Sequence, residues 1–110
     1  MTAALADLDA DRTPDRATLR DAVRALLREL AGRAPGRAVE VRVPPYGAIQ
    51  CGAGPRHTRG TPPNVVEMAP VTWVRLATGR MPWSEAVEQG LVQTSGNRSD
   101  ISAYLPISPY

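Results

Sequence analysis

The 110-residue chain has no lysine and no phenylalanine, and only one cysteine and one histidine. The single cysteine, Cys51, excludes an internal disulfide, as expected of a protein from a reducing compartment. One cysteine and one histidine without a tight carboxylate cluster exclude a metal centre built from four protein ligands at the usual spacing, so neither metal nor cofactor is expected. No window holds enough consecutive apolar residues to read as a membrane span. Residues 1–12 carry acids where a secretory signal would place a basic start and an apolar run, so the expected compartment is the cytoplasm. Gly52-Ala53-Gly54-Pro55 has proline where a phosphate-cradling loop would need a backbone amide. There is no fixed-period repeat and no low-complexity segment.

All thirteen basic residues are arginine, the bias of a GC-rich coding sequence, and against eleven acids they give a net charge of only +2. Without a concentrated basic patch or basic residues interleaved with aromatics, a nucleic-acid partner is not expected. What is present is an ordinary globular composition, 43% hydrophobic and 22% charged. Its length fits one domain that buries roughly two thirds of its unfolded surface.

Residues 1–12 show no periodicity and are expected to form a flexible leader or a loosely helical tail, with the folded domain spanning 13–110. Thr13-Pro14 can cap and start a helix over 14–32, and Leu19, Val23, Leu26, Leu27 and Leu30 form its apolar stripe. Arg12, Arg16, Arg20, Arg24 and Arg28 recur every four residues on the other side, as a solvated face with weak ion pairs or a surface for an anionic partner. "AVEVRV" alternates strictly and predicts a strand over 38–43 with one wet face. Strands at 46–52 and 64–68 follow, then helices over 70–78 and 82–89 started by Pro70 and Pro82 and ended by Gly79 and Gly90. A strand over 91–95 and a short helix over 98–105 complete the chain. The order predicts a single α+β domain, a sheet covered on one face by helices.

"PVTWVRLATGRMPWSEAVEQGLVQTSGNRSDISAYLPI" resembles the C-terminal half of the sterol carrier protein 2 superfamily. The matching features are a helix closed by Gly79, an A-x-x-x-G helix at Ala86 and Gly90, a strand at once over Leu91 to Ser95, the Gly96-Asn97 turn and Leu105. More narrowly, "VEVRVPPYGAIQCGAGPRHTRGTPPNVVE" with "PVTWVRLATGR" resembles small single-domain actinobacterial members of that superfamily, over about residues 38 to 107. The resemblance implies a mostly antiparallel sheet of about five strands, covered on one face by helices, with an apolar slot between the layers for a lipid, fatty acyl or sterol-like molecule. It also implies a second reading. The superfamily includes accessory modules of mycothiol-dependent isomerase-like proteins, so the chain could be an accessory domain or subunit of such an isomerase or transferase system, serving a partner protein, with the loop of Arg56, His57 and Arg59 binding an anionic substrate. The main expectation is non-enzymatic binding or carrying of a hydrophobic or amphipathic small molecule.

For an SCP2-like domain, Val71, Trp73, Val74, Trp83, Leu91 and Tyr104 are the candidates to line the slot, although apolar residues at helical spacing equally describe a filled core. "GPRHTRGTPPN" gathers Arg56, His57 and Arg59, with Asn64 at its far end. Two guanidinium forks and an imidazole could grip a carboxylate or phosphate head group. The same arginines could instead pair with Glu67 or Glu40 as a structural clamp. No catalytic residue is assigned: Ser84 and Ser95 have no base nearby in sequence, and Cys51 reads as a buried strand residue.

Overall fold

A computed structural model describes residues 1–54, 64–97 and 99–107. The elements run α1 (Thr2–Asp9), α2 (Arg16–Arg33), β1 (Val39–Val43), β2 (Gly47–Cys51), β3 (Val65–Met68), α3 (Pro70–Ala77), α4 (Trp83–Glu88) and β4 (Val92–Ser95), followed by a 3-10 turn at Ser102–Tyr104.

The four strands form one sheet in the order β2-β1-β3-β4. Val39 pairs with Cys51 and Val43 with Gly47 in the antiparallel β1–β2 ladder. β1 and β3 run parallel, with Val41 opposite Val66, and β3 and β4 run antiparallel, with Met68 opposite Val92. The architecture is therefore the expected α+β layer fold with a mostly antiparallel sheet, containing four strands among the described residues where the resemblance implies about five. The β1–β2 turn is tight: Pro44–Pro45 is a cis peptide, and the Tyr46 N–H donates to the Val43 carbonyl at 2.9 Å.

Strand alternation sorts the two faces of the sheet. Val39, Val41, Val43, Cys51, Val66 and Met68 are buried on one. The other face carries Glu40, Arg42 and Glu67, where Arg42 donates to Glu40 at 2.9 Å and lies in register with Glu67. α2 lies over β2 and against α3, burying the stripe Leu19, Ala22, Val23, Leu26, Leu27 and Leu30. α3 is buried almost all round, and its Trp73 indole N–H donates to the Val23 carbonyl of α2 at 3.3 Å. This bond satisfies the one polar atom that so large a ring brings into the core.

Two segments differ from the sequence reading. The expected leader contains α1, and Ala4, Leu5 and Leu8 are buried in the main core, so it is not a free tail. Those three residues cover barely one helical turn, too short a run to show a period. The helix is tethered as well as packed: Arg80 donates from Nε to Asp9 Oδ1 at 2.7 Å and from Nη2 to Oδ2 at 2.9 Å. The expected helix over 98–105 is instead a single 3-10 turn, because Ile101 and Ile107 are both buried and pin the segment at its two ends. A smaller shift occurs at α2, which is capped by Asp15, not Thr13, its carboxylate accepting from the Thr18 N–H at 2.8 Å.

Candidate functional site

α3 ends where Gly79 takes a positive φ of 78°, a left-handed turn that a side chain would resist, and the Arg80 N–H closes the helix on the Arg75 carbonyl at 2.8 Å. Three residues later Pro82 caps α4. The C-terminal segment runs beside this junction. That segment is held at Ile107, whose N–H donates to the Ala77 carbonyl at 2.9 Å and whose carbonyl accepts from Arg33 of α2.

Between corner and segment lies an open cleft of about 630 Å³, within the range of roughly 300–1,000 Å³ usual for small-molecule sites. Its walls are Leu76, Met81, Pro82 and Trp83 on the helical side and Leu105 and Pro106 on the other. Ser84, Asp100 and Ser102 add polar groups. Asp100 is held in place by a local turn, its Oδ1 accepting from the Ser102 N–H at 2.8 Å. A bond from the Ser102 hydroxyl, and then this backbone bond, hold its carboxyl below the ordinary value of 3.8, so it is ionised at neutral pH.

The six expected slot residues separate. Trp73 and Val74 are fully buried and fill the core beneath the sheet. Trp83, half-buried, lines the cleft. Val71 and Leu91 are half-buried against the core. Tyr104 lies over the end of β2, its hydroxyl 2.8 Å from where a Cβ on Gly52 would sit. Leu76, Met81, Leu105 and Asp100 went unnoticed in the sequence as wall residues. The available signals were the Gly79-Arg80-Met81-Pro82 corner and the Asp-x-Ser turn at 100–102.

Of the loop candidates, Arg56, His57 and Arg59 lie outside the described residues. Asn64 is buried, and its side-chain amide donates to the Ala38 carbonyl at 2.8 Å while its backbone carbonyl accepts from the Glu40 N–H at 3.0 Å. It thereby continues the β1–β3 pairing one residue beyond the ladder. Cys51 is fully buried, and burial pushes its thiol up to about 11, far from a reactive thiolate at neutral pH. Among the described residues no helix is long and apolar enough to cross a membrane.

The described residues thus form an α+β layer fold, a helix-covered, four-stranded mixed sheet with a cleft at its side. The family described as bacterial SCP ortholog matches residues 15–107, and the chain belongs to that family. No curated protein matches the chain.

Proposed function

We propose that the protein binds and carries a hydrophobic or amphipathic small molecule, with the apolar part of the ligand in the cleft between the α3–α4 corner and the C-terminal segment. The cleft itself carries this reading. The space between α2, α3 and the sheet is occupied by fully buried side chains, Leu26, Leu30, Val41, Val66, Trp73 and Val74 among them. The cleft is open, walled by apolar groups and held in shape at both ends. Membership of the bacterial SCP family supports the same reading. The head-group contacts expected of Arg56, His57, Arg59 and Asn64 are a separate matter on which tail binding does not depend.

The test is uptake of a neutral fluorescent probe, N-phenyl-1-naphthylamine, by the native protein, and its displacement by a long-chain alcohol. Trp83→Ala removes the largest wall residue and should weaken probe binding roughly tenfold, the scale of an aromatic contact worth about 1.5 kcal/mol. Trp73→Phe, at a residue that fills the core and does not line the cleft, should change probe affinity less than about twofold, a few tenths of a kcal/mol. Native mass spectrometry showing only the bare polypeptide, together with no probe uptake, overturns the reading.

A further inference from the structure

The polar groups of the cleft carry a preference about what sits beside the tail. Asp100 is the only charged side chain among the described residues that line it. Arg80, flanked in sequence by the wall residues Gly79 and Met81, is bonded through both Nε and Nη2 to Asp9 of α1. The carboxylate of Asp100 is fixed by the Ser102 backbone and is charged at neutral pH. Trp83 lines the helical wall of the same cleft, and an indole ring is the best aromatic partner for a cation. An indole ring and a carboxylate held by a turn both attract a positively charged nitrogen, and the carboxylate repels an anionic head.

We propose that the cleft selects an apolar molecule bearing a cationic nitrogen, an alkylammonium amphiphile, over the same tail bearing a carboxylate, with Asp100 and Trp83 as the selecting residues. The proposal rests on the carrier reading above, and it fixes the head-group class that reading leaves open.

Calorimetric titration of the full chain with decyltrimethylammonium, decanol and decanoate separates the two. The ammonium should bind about tenfold more tightly than decanol, the sum of a modest cation–π attraction and a partly solvated charge pair, and decanoate more weakly than either. The ammonium's advantage should shrink as salt is raised. Asp100→Asn keeps an oxygen to accept from the Ser102 N–H and removes the charge. It should bring the ammonium to within about threefold of decanol, the remainder being the attraction of the ring, and leave decanol affinity unaltered. An unchanged ammonium-to-alcohol ratio in Asp100→Asn overturns the assignment while decanol binding preserves the carrier reading. Decanoate binding as tightly as the ammonium also overturns it, and transfers head-group recognition to cations such as Arg56 and Arg59. If none of the three amphiphiles binds, decanol included, the carrier reading itself fails and the selectivity with it.

Discussion

Gly36→Ala tests how the two ends of the β1–β2 hairpin are joined to the helical layer. Gly36 has a φ of 140°, and a Cβ placed there would lie 2.0 Å from the Gly52 carbonyl oxygen. The obstacle is backbone, so no side chain can rotate away. That same oxygen accepts from the Ala38 N–H at 3.1 Å, and the Gly52 N–H donates to the Ala34 carbonyl at 2.8 Å. Relieving the overlap means separating residues 34–38 from residue 52 and losing both bonds, about 1 kcal/mol each. The unfavourable φ adds about 1–3 kcal/mol, so the variant should be less stable by about 3–5 kcal/mol. At roughly 4–8 °C per kcal/mol for a domain of this size, the melting temperature should fall by at least about 12 °C. Gly32→Ala is the matched control: it sits in α2, meets nothing within 4 Å and has no positive φ. The same added methyl should there stabilise by up to about 1 kcal/mol, through a smaller loss of backbone entropy. Urea titrations followed by far-ultraviolet circular dichroism measure both. Equal midpoints for Gly36→Ala and the parent protein would refute the close contact on which the argument rests.

Other outcomes follow from the same geometry. Trp73→Phe should destabilise by about 1–3 kcal/mol, because it removes the indole N–H that the buried Val23 carbonyl accepts from and leaves a cavity, whereas Trp83→Ala, at the half-buried cleft wall, should alter the denaturation midpoint little while weakening probe binding. Asn64→Ala should cost about 1–3 kcal/mol in urea titration, since it removes a donor from the Ala38 carbonyl in a buried setting. The Arg80 bond lowers the Asp9 carboxyl from its ordinary 3.8, so the pair's contribution is complete above that value and is lost as the pH falls through the lower folded-state value. Melting temperatures from pH 7 to pH 2 should therefore fall more steeply below about pH 4 for the parent than for Asp9→Asn, and parallel curves would remove the pair from the account.

Much of the fold is visible in local chemistry. Val39, Val41 and Val43 alternate against Glu40 and Arg42 because one face of β1 is buried and the other is wet, and Leu19 to Leu30 repeat at helical spacing because one side of α2 meets the sheet. Such periods need a length of several residues to register. α1 buries three residues within five, and the segment at 101–107 is fixed by two isoleucines six residues apart, so neither leaves a pattern that periodicity detects. The cleft is harder still to read. Trp73 and Trp83 are chemically identical and both lie on helices after a proline, yet one fills and one lines. The difference is that α3 is sandwiched between α2 and the sheet side of the core, whereas α4 buries only Ala86 and leaves Trp83 at the corner. That is a property of how helices meet, and no single helix's sequence contains it. Asp100 is hard to read for a related reason: it shares a cleft with Trp83 only because α4 and the C-terminal segment meet, which neither stretch encodes alone.

The lone sulfur has a use that its chemistry alone would not suggest. Cys51 is sealed between β1 and the helical layer, and its thiol is protonated near neutrality. A thiol-directed reagent reaches so buried a sulfur only when the surrounding structure opens, so the alkylation rate is a clock for such openings. A cargo that binds only the closed form slows that clock in proportion to its occupancy. On the carrier reading, Cys51 alkylation therefore gauges occupancy with no label and no knowledge of what is bound.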